Sequence, residues 1–214
     1  HVYKRQSMDS IIFDVDGTLW DSTPVVAKAW TKVFAAETDY HMIFSPETLQ
    51  ALFGRTLPVI AEILMPDLPA PRRLEIIETC CEEEHRALLS CRENLLFTGV
   101  RETLRQLSRR FPLYLVSNCE AGYIDVFFHC TGLGSFFQDA LCPGDTGLGK
   151  AENILQMMKK HNLRSPIYVG DTAGDEAASR QAEIPFFYAS YGFDRAVSPD
   201  SVLSSFSDLL ALLH

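Results

Sequence analysis

The chain has 214 residues and a mass of 24.0 kDa, enough for one substantial hydrophobic core or for one core and a smaller lobe. A formal net charge of -9 and a pI near 5.1, with no basic tract, exclude a nucleic-acid-binding surface and mean that an anionic ligand needs local positive charge. No apolar run is long enough to span a membrane, and no signal-peptide core is present. The six cysteines show no C-x-x-C pair and no histidine at zinc-finger spacing, so they read as free thiols of a cytoplasmic protein. Residues 1–7, polar and basic ahead of Met8, are expected to be leader residues outside the fold.

Ile11 to Phe13 is an apolar run of strand character that ends in Asp14-Val15-Asp16-Gly17-Thr18-Leu19. Asp14 and Asp16 are two apart, so an extended backbone puts both carboxylates on one side, and their repulsion calls for a proton or a cation between them. From Ser22 or Thr23 the pattern turns helical, with Val26, Trp30, Val33 and Phe34 on one face and Pro24 in the first turn. Ser45-Pro46-Glu47 opens a second helix through Leu52, Gly54 breaks it, and Leu57 to Leu64 reads as a third. Pro66, Pro69 and Pro71 form a hinge-like connector. A long helix follows from Arg72 to Cys91, with Leu74, Ile77, Cys81, His85 and Leu88 on its inner stripe and Glu82, Glu83 and Glu84 expected in water. No strand is expected between 22 and 95.

From Gly99 helices and strands alternate. A helix faces Val100, Leu104 and Leu107 inward and Arg101, Arg105 and Arg109 outward, and the strand Pro112 to Val116 ends in Ser117-Asn118. A helix from Ala121 to Cys130, a short strand at Asp139 to Leu141 and a glycine-rich turn from Gly144 to Gly149 come next. That turn places Lys150 at the entry of the following helix. Pro166 to Val169 is a strand ending in Gly170-Asp171-Thr172-Ala173-Gly174-Asp175. A fifth strand, Pro185 to Ala189, precedes a C-terminal helix containing Val202, Leu203, Phe206, Leu209 and Leu213. The expected architecture is α/β: a doubly wound parallel sheet, Rossmann-like, with an inserted all-helical cap. The core is expected over 8–21 and 96–214 and the cap over 22–95.

Ligands of such sheets bind at the carboxyl ends of the strands, where Asp14, Asp16, Ser117, Asn118, Lys150 and Asp171 all fall. That set suits phosphoryl transfer through an aspartyl-phosphate. Asp14 is the candidate nucleophile and Asp16 the general acid and base. Asp171, with Asp175 behind it, would join Asp14 in holding Mg²⁺, a hard cation that takes oxygen ligands. Thr18, Ser117, Asn118 and Lys150 form the candidate phosphate-binding set. Arg55, after the Gly54 break, is the cap residue best placed to reach an anion. Trp20 is expected to pack between cap and core.

These residues resemble the haloacid dehalogenase superfamily: D-x-D-G-T-L at Asp14 to Leu19, a strand-terminal hydroxyl at Ser117, a lysine at Lys150 and G-D-x-x-x-D at Gly170 to Asp175, in the family's order. Asp21-Ser22-Thr23 and Gly54-Arg55 look most like its phosphoglycolate-phosphatase-like members with a helical cap. The resemblance implies a Mg²⁺-dependent phosphatase of a small phosphorylated substrate, with the Asp16 main-chain carbonyl as a further metal ligand and a cap that closes over the site. Two positions depart from the family's habit, Ala151 after the lysine and Ala182-Glu183 late in the following helix. The founding dehalogenases lack an acid at the position of Asp16, which argues against C-halogen hydrolysis. Sugar-phosphate mutases of the family tend to carry a histidine where this chain has Pro24 to Ala27. Mutase and pyrophosphatase activities are the alternatives, with a non-catalytic phosphate-responsive module behind them; oligomeric state is not readable.

Overall fold

The structure is a computed structural model that describes residues 8–213; the expected leader residues 1–7 lie outside the described residues. Six parallel strands, β1 (Ser10–Phe13), β2 (Leu113–Val116), β3 (Phe137–Leu141), β4 (Pro166–Gly170), β5 (Phe186–Ala189) and β6 (Ser201–Leu203), lie in the order β3-β2-β1-β4-β5-β6. β1 is central: Phe13 pairs with Leu115 on one side and with Val169 on the other. All three strands therefore end at the same level, which brings Asp14, Ser117 and Asp171 to one edge.

The helices are α1 (Thr23–Glu37), α2 (Pro46–Leu52), α3 (Leu57–Leu64), α4 (Ala70–Ser90), α5 (Val100–Ser108), α6 (Tyr123–Thr131), the single turn α7 (Pro143–Thr146), α8 (Lys150–His161), α9 (Ala173–Gln181) and α10 (Asp208–Leu212). Alternation along the strands decides which face each helix covers. Ile12, Tyr114, Tyr168 and Phe186 pack with Ile154 and Met157 of α8 and Ala178 of α9. Ile11, Phe13, Leu115 and Val169 point the other way, onto Leu104 and Leu107 of α5 and Leu209 of α10. Helices on both faces make this the expected doubly wound α/β sheet.

Helices α1 to α4 lie between β1 and α5, and no strand interrupts them. Helix α1 packs along α4, and α4 also reaches α6. Phe34 is fully buried, edge-on to Phe44 with ring centroids 5.0 Å apart. The chain enters and leaves this helical block at one place. The Asp21 N–H donates to the Leu95 carbonyl at 2.9 Å, the Phe97 N–H donates to the Leu19 carbonyl at 3.0 Å, and Trp20 bridges Leu96 in antiparallel fashion. The two crossing segments are thus zipped side by side.

Four sequence expectations change. Val202 and Leu203 belong to β6, not to the C-terminal helix, which is confined to Asp208–Leu212; the Ser190 N–H donates to the Leu203 carbonyl, so the segment extends the sheet edge. Glu84 is buried, because one turn of α4 brings it beneath Trp30, whose indole N–H donates to Glu84 Oε2 at 3.2 Å. Leu74 is the exposed member of its stripe. Pro66 to Pro71 joins α3 to α4 inside the helical block, with Pro71 already in the first turn of α4, so it is no link between block and sheet.

Truncating Phe34 leaves a void that the α1–α4 contact cannot close. Phe34→Ala is expected to lower unfolding stability by about 3–5 kcal/mol, measured by urea denaturation.

Candidate active site

The carboxyl edge of the sheet holds three buried carboxylates, Asp14, Asp171 and Asp175, whose oxygens lie within 4.8 Å of one another. Lys150 is buried among them. Its Nζ is 3.4 Å from Asp14 Oδ1 and also donates to Asp175 Oδ1. A lysine in the first turn of α8 opposes the helix dipole, so its position is set by these acids and not by helix stability. Burial works against its charge, but Asp14 and Asp175 outweigh that and hold its proton more tightly than an ordinary lysine does. For Asp14 the balance runs the other way: burial, with Asp175 and Asp16 adding to it, outweighs Lys150 and pushes its pKa up to about 7. Burial followed by Asp14 and Asp175 also raises Asp171 well above the usual carboxylate range.

Each acid is fixed by local structure. Thr172 is the N-cap of α9, accepting from the Asp175 N–H at 3.0 Å, and Asp175 Oδ2 accepts from the Thr172 and Asp171 N–H groups at 3.1 and 3.0 Å. Asp171 accepts from Thr18 Oγ at 3.1 Å and from the Phe193 N–H at 2.9 Å. The chain must pass very close to Asp171. Gly17 has φ +78°, and a Cβ there would fall 2.0 Å from Asp171 Oδ2; a Cβ at Gly192 would fall 2.3 Å from Asp171 Cβ.

Asp16 belongs to a different environment. Its Oδ1 accepts from Trp20 Nε1 at 3.0 Å, Ser22 Oγ at 3.1 Å and the Tyr123 hydroxyl at 2.5 Å. Burial still outweighs these three bonds and pushes its pKa up to about 7, so acid and carboxylate forms are both accessible at neutrality. Asp16 also borders a cavity of about 30 Å³ shared with Trp30, Arg55, Glu84, Asn118 and Glu120. A groove of about 790 Å³ runs alongside, between α3 and α4 on one side and the loops around Asn118 and Gly147 on the other.

Two carboxylate environments beside a buried lysine, at the end of a central parallel strand, are the arrangement that the four sequence motifs call for. Residues 11–189 match the family described as haloacid dehalogenase-like hydrolase. The chain belongs to that family. The hydrolase is 28% identical over 230 residues to phosphoglycolate phosphatase of Vibrio parahaemolyticus, covering 98% of this chain and 97% of that protein. It is 31% identical over 212 residues to phosphoglycolate phosphatase of Synechococcus elongatus, covering 95% and 96%. Its fold superposes on a predicted phosphoglycolate phosphatase from Haemophilus somnus with a TM-score of 0.87 at 19% identity, covering 98% of this chain and all of that one. The resemblance read from the motifs is borne out.

Of the residues singled out in the hydrolase sequence, Asp14, Lys150, Asp171 and Asp175 meet directly. Thr18 is engaged with Asp171. Ser117 is buried at the end of β2, its N–H on the Leu141 carbonyl. Asn118 ties the edge to the helical block, its Nδ2 donating to the Gly54 carbonyl at 3.0 Å. Arg55 stands exposed at the cavity rim with its guanidinium on the Ala51 carbonyl. Trp20 is buried as expected, 5.0 Å edge-on to Phe127, and its indole N–H adds a role at Asp16 that packing alone does not give. The sequence reading missed Ser22 and Tyr123 at Asp16, Tyr168 beneath Asp175, and Gly192. Only Gly192 left a signal, as a glycine soon after an apolar strand.

The donors are all oxygens, three buried acids face one lysine, and the uncompensated charge suits a hard dication. Gly17→Ala is expected to cost on the order of 1–3 kcal/mol through its left-handed φ and to displace Asp171, read as a lowered urea midpoint and weaker Mg²⁺ binding. The raised acids also fix a pH dependence. Unfolded, Asp14 and Asp16 titrate near 3.8; folded, near 7, so the folded state retains protons that the unfolded chain loses in between. In chelator, their contribution to stability is undiminished below about pH 4 and falls as pH rises to about 7. A dication held by these acids would offset the repulsion at Asp14, so the gap between urea midpoints with Mg²⁺ and with chelator is expected to widen from about pH 5 to about pH 8.

Proposed function

We propose that this hydrolase is a Mg²⁺-dependent phosphatase of a small phosphomonoester that works through an aspartyl-phosphate on Asp14, with 8–21 and 96–214 as core and 22–95 as cap. The observation that carries this reading is the buried Asp14–Lys150 contact at 3.4 Å, inside a carboxylate cluster and next to a separately housed acid, Asp16. The relatives named phosphoglycolate phosphatase support a small phosphorylated substrate. The zipped crossing at Leu19–Asp21 and Leu95–Phe97 supports a cap attached by one paired link. The six unpaired thiols and the absence, among the described residues, of a helix long and apolar enough to cross a membrane are compatible with the cytoplasm.

Asp14 is restrained by Lys150 for attack on phosphorus. Its carboxylate oxygen forms the new P–O bond as the ester P–O bond breaks. Asp16 gives its proton to the departing alkoxide, then takes one from the water that attacks the acyl phosphate and frees Asp14. That double duty needs a carboxyl poised near neutrality, the value that burial gives Asp16. Lys150 and Ser117 hold the non-bridging oxygens, while Asn118, its Nδ2 engaged by the Gly54 carbonyl, lies toward the leaving group. Asp14, Asp171 and the Asp16 carbonyl would hold the metal, which when bound neutralises the repulsion between carboxylate and phosphate. Asp175 spends its oxygens on Lys150 and two N–H groups, so its part is chiefly to position Lys150 and Asp171.

Phosphate release from small phosphomonoesters should require Mg²⁺, stop in excess chelator and be lost in Asp14→Asn with the circular-dichroism spectrum unchanged. Asp14→Asn turning over at the wild-type rate would falsify the reading.

A further inference from the structure

The cavity beside Asp16 is where an alcohol released from Asp14-bound phosphorus would find its proton, and its hydrogen-bonding groups are unevenly matched. Apart from Arg55 at the rim, its side-chain donors on Trp30, Tyr123 and Asn118 are already engaged. The Trp30 indole N–H is on Glu84 Oε2 at 3.2 Å, the Tyr123 hydroxyl is on Asp16, and the Asn118 amide N–H is on the Gly54 carbonyl at 3.0 Å. Its acceptors are in surplus. Glu84 and Glu120 together offer more lone pairs than the described donors use. Asn118 Oδ1, whose orientation the Gly54 bond fixes, is buried and has no hydrogen-bond partner among the described residues.

Charge points the same way. Glu84 is 2% exposed; burial and then Glu120 raise its proton affinity well above that of an ordinary glutamic acid. Burial also opposes ionisation of Glu120, but the bonds from Glu84 and His85 outweigh it, so of the two Glu84 holds a proton the more tightly and Glu120 gives one up the more readily. Arg55 is the one cation lining the cavity among the described residues. Three acids, Asp16, Glu84 and Glu120, therefore face one arginine, with the His85 imidazole reaching Glu120 at 2.8 Å from behind the cavity lining.

Resting on the phosphatase reading above, we propose that the leaving group is a small alcohol bearing hydrogen-bond donors, hydroxyl or ammonium, and not one bearing a carboxylate. A carboxylate would add acceptors and negative charge to a cavity with an excess of both, whereas a donor-bearing alcohol satisfies Asn118 Oδ1 and the glutamate pair. Glu84, Asn118 and Glu120 are then the residues that set specificity.

The test compares kcat/KM of the Mg²⁺-loaded chain for 2-aminoethyl phosphate, glycerol phosphate, phosphoglycolate and ethyl phosphate. A donor-bearing ester is expected to exceed ethyl phosphate, and phosphoglycolate to fall below it, with at least about tenfold between the extremes. The better of the aminoethyl and glycerol arms tells ammonium from hydroxyl. Glu120→Gln, which replaces the ionised acceptor of the pair with a neutral group able to donate, should narrow that span several-fold, mainly through KM. A donor-bearing ester no better than ethyl phosphate, phosphoglycolate at the top, or an unaltered ranking in Glu120→Gln each overturns the inference while leaving phosphatase activity in place. No turnover of any ester removes the phosphatase reading and this inference with it.

Discussion

Burying three carboxylates around one lysine at the end of the central strand is the constraint from which the rest of the architecture follows. Asp14, Asp171 and Asp175 repel one another in a medium that screens poorly, and one ammonium group cannot neutralise all three. The fold therefore supplies directed donors. The capping box of α9 aims two N–H groups at Asp175, and the Phe193 N–H and Thr18 hydroxyl are aimed at Asp171. The loops carrying them approach so closely that side chains are impossible at Gly17 and Gly192. Electrostatic need and backbone conformation are one problem here, and a bound dication would be the remaining part of its solution.

The same economy joins the crossing point to the acid. Trp20 sits in the segment that leads from sheet to helical block, bridges Leu96 in the returning segment, stacks edge-on with Phe127 and donates to Asp16. This segment and its returning partner are the covalent links between sheet and helical block. The orientation of Asp16 is therefore tied to the block through the indole, while Tyr123 and Ser22 tie it to α6 and the start of α1. Asn118 makes a second tie, from the end of β2 to Gly54 between α2 and α3. Closure and proton transfer would share parts, which is how a cap can make catalysis depend on a bound leaving group.

The parallel core was readable because its strands are short apolar runs that stop at Asp, Ser or Gly, a pattern few other structures produce. Asp14, Lys150, Asp171 and Asp175 were readable because each has an exceptional position: a charge directly after a buried strand or in the first turn of a helix. What failed had no local mark. Glu82, Glu83 and Glu84 are identical in composition, and only the indole of Trp30 and the carboxylate of Glu120, contributed by α1 and the loop after β2, make the third a buried acid. Val202 and Leu203 carry the apolar character of helix or strand alike, and the free edge of β5 decides between them. Tyr123 lies in a helix of ordinary pattern, 107 residues from the carboxylate it serves.

These two classes of residue have different consequences for inference. The motif residues sit at the ends of the parallel strands, and a fold superposing at a TM-score of 0.87 with 19% identity speaks to that framework and says little of the leaving group. Glu84, Glu120 and the unpartnered oxygen of Asn118 line the cavity beside Asp16, away from the phosphoryl cluster. A relative's name therefore speaks to the phosphoryl half of the reaction more firmly than to the alcohol half. For the alcohol, the balance of donors and acceptors in the cavity is the stronger argument, because an unmet buried acceptor or a second negative charge penalises the wrong partner whatever the rest of the fold resembles.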